Sequence, residues 1–183
     1  METKFALPSR AGPIRPRCAV KLKVEVVRSD RRRKTVEATK EGNKVVVRLP
    51  ATMGRAEADR WVKEMVDRIH QAEHLRFLNE RSDLEKRARE LHARYFGGRP
   101  KLRSIKYVGN QRDRYGSCTP VDGAIRLSHV VAEYPAWVRD YIIVHELAHL
   151  RVPDHSSYFW QLVRRYPQAE RARGFLIAKG LEE

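Results

Sequence analysis

The sequence has little cysteine, no long apolar run and far fewer acidic than basic residues. Two cysteines, Cys18 and Cys118, do not make a disulfide framework, so a reducing cytoplasm is expected. No apolar run approaches the ~18 residues of a membrane span, and residues 1–8 do not form an apolar signal segment. We therefore expect a cytoplasmic monomer that does not contact a membrane.

Positive charge is concentrated toward the N-terminus. The 183 residues carry a net charge of +15, and residues 1–50 hold 14 Lys/Arg against 5 Asp/Glu. Residues 101–183 hold 13 against 9. A concentrated positive face attracts phosphate backbones. However, 27 of the 38 basic residues are arginine, so a solvated surface in an arginine-rich proteome explains the excess equally well.

The most informative stretch is residues 141–150, which read YIIVHELAHL. Helical residues at positions i and i+4 share a face, so His145 and His149 project side by side and can reach one metal ion. Glu146 lies roughly 100° round the helix. It is therefore poorly placed as a ligand but well placed to hold a water molecule on the metal. Pro135 and Pro153 mark the expected ends of this helix.

The third metal ligand is expected just beyond the helix, at His155. A second helix, capped by Asp154 or Ser156, would hold His155 through an apolar face. Residues that form this face are Phe159, Leu162, Val163 and Tyr166. Three histidines leave the fourth position of a tetrahedral zinc open, as a catalytic site requires.

Two simpler interpretations of the motif are less favoured. A chance match on a surface helix rarely sits in an apolar run, and burial without a metal would leave polar groups unsatisfied. A structural zinc usually has four ligands and mostly cysteine. Residues 70–74 read HQAEH, an inverted zinc-protease pattern. Their surroundings are polar, so His70 and His74 are interpreted as surface histidines without metal.

Four segments are predicted along the chain. Residues 1–18 form a tail, and residues 19–52 form a small antiparallel β-meander with strands near residues 20–26, 35–39 and 45–49. Residues 53–97 are helical, with a capping box at residues 82–85 that starts a second helix. Residues 98–183 contain strands Ser104–Val108 and Ala124–Ser128, followed by the motif helix, the His155 helix and a C-terminal helix near residues 170–179.

These motifs together resemble the YgjP-like metal-dependent hydrolases, a zincin metallopeptidase family. The similarity extends over roughly residues 20–170. The matching stretches are RSDRRRKTV at 28–36, RYGSC at 114–118, GAIRL at 123–127, DYIIVHELAHL at 140–150 and DHSSYFW at 154–160. The family usually has Trp at the position of Tyr115 and Asn at those of Ser128 and Asp154. These departures leave every metal ligand in place. The ligand spacing also resembles that of SprT-like proteases, which act on proteins crosslinked to DNA.

The resemblance implies an α+β fold with a zincin-like catalytic part. It also implies that strand Ala124–Ser128 is the edge strand that pairs with an extended peptide or protein substrate. Zn²⁺ bound by His145, His149 and His155 would lower the pKa of its water to roughly 7. Glu146 would take the proton of that water and pass it to the leaving amine. A second donor to the oxyanion is expected. Its candidates, left unranked, are Arg114, Tyr115, His129, Tyr158 and Tyr166.

Two competing functions remain open. One is a nucleic-acid-associated protein, including a DNA-linked protease of the SprT-like type, that binds weakly through the basic tip of the first predicted hairpin. This tip, called the basic loop, is defined as Arg31, Arg32, Arg33 and Lys34. The intact Glu146 favours an enzyme over that alternative, since an inactive zinc unit would not need it. The other is a zinc amidase that acts on small molecules, against which the expected peptide-pairing strand argues mildly. Cys118 is interpreted as a small core residue rather than a nucleophile.

Overall fold

The computed structural model describes residues 22–98, 101–111 and 114–180. The predicted N-terminal tail lies outside these residues. The described residues fall into two compact units, residues 22–74 and residues 75–180. Strands and helices occur in both units, so the predicted α+β class is confirmed. Among the described helices, none is both long enough and apolar enough to cross a membrane.

The first unit contains a three-stranded sheet built from β1 (Lys23–Ser29), β2 (Glu37–Glu41) and β3 (Lys44–Pro50). Strand β3 is central: β1 pairs with it in parallel and β2 pairs with it antiparallel. The predicted three strands therefore exist, but the predicted antiparallel meander is wrong. Alternation of apolar residues predicts where strands occur in the sequence but not the order in which they pair. Here β1 pairs with β3 instead of β2.

The basic loop also differs from its predicted role as a hairpin tip. Strands β1 and β2 are not neighbours, so residues 30–36 connect two strands on opposite sides of β3. The tight hairpin is instead between β2 and β3, where Gly42 adopts a φ of 60°. Val24 and Val26 of β1 are exposed, although their alternation predicted a half-buried face.

Helix α1 (Arg55–Arg81) follows the first sheet, and the boundary between the two units falls within it. Its apolar residues recur at helical spacing and pack on Val45, Val47 and Leu49 of β3. The packing residues are Trp61, Val62, Met65, Val66 and Ile69, as the sequence predicts. These side chains are only partly buried, so the first unit has a small core.

The second unit contains the end of α1, the helix α2 (Leu84–Tyr95) and a second three-stranded sheet. Its strands are β4 (Ser104–Val108), β5 (Gly116–Thr119) and β6 (Ala124–Ser128). Strand β6 is central, parallel to β4 and antiparallel to β5. The prediction that β6 is an edge strand is therefore wrong. The short strand β5, whose Gly-Ser-Cys-Thr sequence lacks apolar alternation, occupies an edge instead.

Three helices complete the second unit: α3 (Ala136–His149), α4 (Ser157–Val163) and α5 (Ala169–Ala178). A 3-10 helix, His129–Glu133, leads from β6 toward α3. One apolar core joins α2, the second sheet and all three helices, with Ile143, Leu147, Phe159 and Leu176 fully buried within it. The motif helix α3 is thus the central helix of this unit.

A buried ion pair joins α2 to α3. Asp140 of α3 is 5% exposed and accepts two hydrogen bonds from Arg87 of α2, at 3.0 Å from Nε and 2.6 Å from Nη2. Two parallel bonds of this kind fix direction as well as distance. The pair therefore adds a directional contact between α2 and α3 to the apolar packing of the core.

Candidate metal centre and active site

The metal motif lies on a helix that is buried along nearly its whole length. Pro135 precedes the first helical residue, and its carbonyl accepts hydrogen bonds from Val138 and Arg139 at 2.9 and 3.1 Å. Ten of the fourteen residues of α3 are buried, including His145 and Glu146. Burial of these polar groups is costly unless they are partnered, so their presence in the core indicates a function beyond packing.

The structure brings His145, His149 and His155 together. Their potential ligand atoms all lie within 4.8 Å of one another. His145 and His149 are adjacent because they are four residues apart on α3. The chain turns back after α3, near Val152, and places His155 over the same face just before α4. The N-cap of α4 is Ser156, one of the two predicted residues, but its side chain makes no capping hydrogen bond.

The spacing of the histidine nitrogens fits a tetrahedral metal ion. The Nε2 atoms of His145 and His155 are 3.3 Å apart. Two ligands about 2.05 Å from a tetrahedral ion are separated by about 3.3 Å. Three imidazoles are a ligand set that suits Zn²⁺. The geometry and the chemistry of the donors therefore both fit, whereas ligation by these residues stays a prediction.

His149 and His155 are each held in orientation by neighbouring groups. The Nδ1 atom of His149 lies 3.1 Å from the carbonyl oxygen of Val152, so an Nδ1–H donates there and leaves Nε2 free for a metal. Phe159 stacks on His149 at 4.4 Å between ring centroids. Trp160 stacks on His155 at 5.6 Å. Helix α4 thus supports both rings from one side.

The environment keeps the motif histidines neutral, as metal ligation requires. Burial lowers the pKa of His145 well below its ordinary value, and the nearby His149 and His155 lower it further. Burial also lowers the pKa of His149 to about 4, although the hydrogen bond to Val152 opposes this shift. At neutral pH both rings are therefore in the neutral form that binds a metal.

Glu146 lies beside the cluster in an apolar setting. Its side chain is 4% exposed, and burial raises its pKa to about 8, with the charge of Arg114 acting in the opposite direction. A Cβ atom added to Gly116 of β5 would lie only 2.8 Å from Cδ of Glu146. The carboxyl group therefore packs directly against the backbone of β5.

The five predicted oxyanion donors are placed very differently. Tyr115 is 1% exposed, and Tyr166 donates its hydroxyl to the carbonyl oxygen of Trp137 at 2.9 Å. Tyr158 is exposed on α4, and His129 begins the 3-10 helix. Arg114 is exposed and its charge acts on Glu146. Among these five described residues, only Arg114 is seen to act on Glu146 through its charge.

Two further sequence interpretations bear on this site. Burial, together with the charge of Glu146, raises the pKa of Cys118 to about 12, which agrees with a packing residue. His70 and His74 are half-buried in α1 rather than on the surface, and Glu73 between them is ion-paired with Lys40. Within the described ranges, residues 70–74 do not form a group of three potential metal ligands.

Sequence reasoning missed Gly116 and the Arg87–Asp140 pair. Gly116 lies in the RYGSC stretch that carries part of the family resemblance, but its contact with Glu146 depends on the position of β5. Arg87 and Asp140 are 53 residues apart in sequence. No local pattern in the sequence could have joined them.

Comparison with known protein families found a match to one family model. Residues 81–177, more than half of the chain, match the family model described as the YgjP-like metallopeptidase domain. No curated protein matches the chain. The chain is also similar to the crystal structure of the metallopeptidase zymogen of Pyrococcus abyssi abylysin, at 22% identity and a TM-score of 0.46. That similarity covers 53% of this chain and 94% of the abylysin chain, and it is too distant to support an assignment.

The family match covers the part of the chain that contains α2, the second sheet and all three motif histidines. It therefore agrees with the resemblance found in the sequence, and it includes the cluster whose geometry suits a metal ion. The chain belongs to the YgjP-like metallopeptidase family.

Proposed function

We propose that this protein is a zinc-dependent peptidase that hydrolyses peptide bonds with an activated water molecule. His145, His149 and His155 hold the metal, and Glu146 is the general base. The observation that carries the proposal is a cluster of three histidines, with a 3.3 Å separation between two Nε2 atoms, next to a buried glutamate. When bound, zinc supplies a Lewis acid that activates water and polarises a carbonyl group.

Glu146 has the burial that a proton carrier needs. Burial raises the pKa of Glu146 to about 8, so this group can both take up and release a proton near neutral pH, and in its carboxylate form it would accept the proton of the attacking water. The proton then passes to the leaving amine, which restores the carboxylate. Glu146 follows His145 directly, so its side chain starts beside the cluster but points to another side of α3.

Arg114 is the residue that we propose to stabilise negative charge on the substrate. Its guanidinium group already acts on the carboxylate of Glu146 through its charge, and it is exposed to solvent rather than buried in the core. A fixed positive charge close to the reacting carbonyl group would favour the oxyanion over the neutral ground state.

The substrate is proposed to be an extended peptide that pairs with β5. Within the described sheet, β5 is paired on one side only. Its first residue, Gly116, lies against the side chain of Glu146. Main-chain hydrogen bonds from a strand edge bind peptides with little side-chain selectivity. The central position of β6 rules it out as the pairing strand.

Weak nucleic-acid binding through the basic loop is a second proposed function. Arg31, Arg33 and Lys34 are exposed, which favours contact with phosphate groups. Arg32 is half-buried and ion-paired with Glu37, so it contributes less to such contact than the other three.

The decisive experiment compares two glutamine variants of the metal-loaded protein. Glu146→Gln keeps the shape of the side chain but cannot accept a proton, so it should retain zinc and lose on the order of 10³-fold in peptidase activity. Glu133→Gln, a change at an exposed carboxylate of the same unit, is the matched control. Zinc content is measured by atomic emission, and cleavage with a mixture of unstructured peptides.

Removal of the metal gives the complementary test. Chelation should abolish cleavage, and added Zn²⁺ should restore it. Full activity of Glu146→Gln would contradict the role of Glu146. Cleavage of small amides without cleavage of peptides would favour the amidase instead.

A further inference from the structure

Gly116 is a glycine whose backbone does not require glycine. Five glycines in the described residues have a positive φ: Gly42, Gly97, Gly98, Gly123 and Gly180. Gly116 is not among them, and it lies in strand β5, paired with Leu127 of β6. Any L-residue could adopt this conformation. The reason for glycine at this position must therefore be space.

The space is taken by the side chain of Glu146. A Cβ atom on residue 116 would collide with Oε1 of Glu146 and would lie 2.8 Å from Cδ and 2.9 Å from Cγ. Carbon atoms in favourable contact are separated by about 3.5–4.0 Å. One methyl group at this position is thus incompatible with the present location of the carboxyl group.

The backbone side of this contact is held in place, so the side chain of Glu146 is the part that has to shift. Tyr115, next to Gly116, is 1% exposed, and its carbonyl oxygen accepts a hydrogen bond of 2.8 Å from the backbone of Ser128. Glu146 is 4% exposed on the buried helix α3. Strand β5 therefore forms a fixed wall, and the carboxyl group rests against it.

We propose that Gly116 is a positioning residue, whose missing side chain lets the carboxyl group of Glu146 lie against β5 and thereby fixes its location relative to the histidine cluster. This inference rests on the proposed role of Glu146 as general base. It goes beyond that role because it assigns the alignment of the base to the strand that we propose as the peptide-binding edge. The same wall thus places the base and, on its free edge, the substrate.

Gly116→Ala should separate catalysis from metal binding. The methyl group displaces the carboxyl group by roughly 1 Å, the shortfall from ordinary carbon contact. A displacement of that size can lower the rate about 10²-fold. We expect kcat to fall by about this factor while KM stays within about twofold. Zinc content should not change, because His145 and His149 project from another side of α3.

Gly174→Ala is the matched control. Gly174 lies in α5 of the same unit, and nothing lies within 4 Å of a Cβ atom added there. The same methyl group should leave kcat, KM and zinc content unchanged. Replacement of glycine by alanine within a helix should also keep or slightly raise the melting temperature.

Thermal melting tests the contact without any activity measurement. Overpacking by one methyl group should lower the melting temperature of Gly116→Ala by roughly 3–10 °C in the otherwise natural protein. In a Glu146→Ala background the methyl group meets no carboxyl group, so the loss should be at most about a third as large. This second background keeps the test valid even if the single variant does not fold.

Three results would overturn the proposal. They are an unchanged kcat in Gly116→Ala, a loss of zinc in that variant, or an equal fall in melting temperature in both backgrounds. A natural protein that cleaves no peptide would contradict the proposed function instead. The pair of melting comparisons would still decide whether Gly116 fixes the side chain of Glu146.

Discussion

The chain builds the same three-stranded sheet twice, and only one copy adjoins a candidate active site. In each sheet the third strand is central, the first strand is parallel to it and the second is antiparallel to it. The first sheet, in residues 22–74, packs with α1 on a small core. The second, in residues 75–180, belongs to a large core around α3. The strand arrangement is the same in both units, so it does not explain why the candidate active site lies in the second unit.

The helices explain the difference. Helix α1 has 27 residues, of which only Ala58 is fully buried, whereas ten of the fourteen residues of α3 are buried. The histidines of α1, His70 and His74, are only half-buried. A helix inside a core must satisfy each polar group with a partner. Burial of α3, rather than the arrangement of the strands, is therefore the feature that distinguishes the H-E-x-x-H motif as a candidate metal site.

Both units contain ion pairs between exposed side chains, but the second unit adds one pair with a buried carboxyl group. In the first unit, the ion pairs Arg32–Glu37, Lys40–Glu73 and Lys44–Glu25 join half-exposed side chains. Such pairs contribute little to stability. In the second unit, the carboxyl group of Asp140 is 8% exposed, so its pairing with Arg87 has far more influence on the fold.

The largest expected effect is loss of zinc from His155→Ala. Only two ring nitrogens of the cluster remain in this variant, so zinc affinity should fall more than about 100-fold. Metal content after dialysis at fixed free zinc measures the change. Retention of stoichiometric zinc by His155→Ala would exclude this ligand set.

The Arg87–Asp140 pair gives the next largest effect. Arg87→Ala leaves the buried Asp140 without its charged partner, so the free energy of unfolding should fall by about 2–3 kcal/mol. Arg32→Ala, which breaks an exposed pair in the first unit, should cost at most about 1 kcal/mol. Urea denaturation of both variants compares them. If the free energy of unfolding falls equally in both variants, the burial of Asp140 does not make its ion pair more important than the exposed pair.

The basic loop should affect the salt dependence of nucleic-acid binding and little else. Replacing Arg31, Arg33 and Lys34 by Ser should reduce the slope of log affinity against log salt by up to about 3. A control with the same charge change replaces Arg55, Arg60 and Lys63 of α1 by Gln. Titration of a labelled duplex at two salt concentrations measures both slopes. Identical slopes in the two variants would show that only net charge matters.

The smallest expected effect belongs to the histidines of the first unit. His70→Ala/His74→Ala should keep the zinc content unchanged, because Glu73 is engaged by Lys40 and the described residues offer no third ligand nearby. Measured beside His155→Ala, this double variant contrasts the two motifs directly. Loss of metal from it would relocate the site to α1.

Local patterns in the sequence predicted the elements well. Strands Ser104–Val108 and Ala124–Ser128 have their expected bounds, and α3 begins directly after Pro135. These predictions succeeded because alternation, helical spacing and proline act within a few residues. The start of α2 was predicted to within one residue, but the predicted capping box is wrong, because the N-cap is Asp83 rather than Ser82 and its side chain makes no capping hydrogen bond.

Contacts between distant residues could not be predicted in this way. The order of strands in each sheet depends on which edges meet, and the four residues of β5 carry no alternation that would reveal a strand. Gly116 is one of ten glycines in the sequence. Its importance becomes visible only when β5 lies against Glu146. The three histidines could be predicted to lie together because two of them are four residues apart and the third follows shortly after.

The stacking of Trp160 on His155 has a spectroscopic consequence. The indole and imidazole rings are 5.6 Å apart and nearly parallel, and the guanidinium group of Arg173 lies over the indole at 5.8 Å. Indole emission depends on neighbouring rings and charges. With Trp61 and Trp137 replaced by Phe, the remaining emission would come from Trp160 and would respond to changes at His155 and at the other groups that contact the indole. The protein thus contains its own fluorescent indicator at the edge of the metal site.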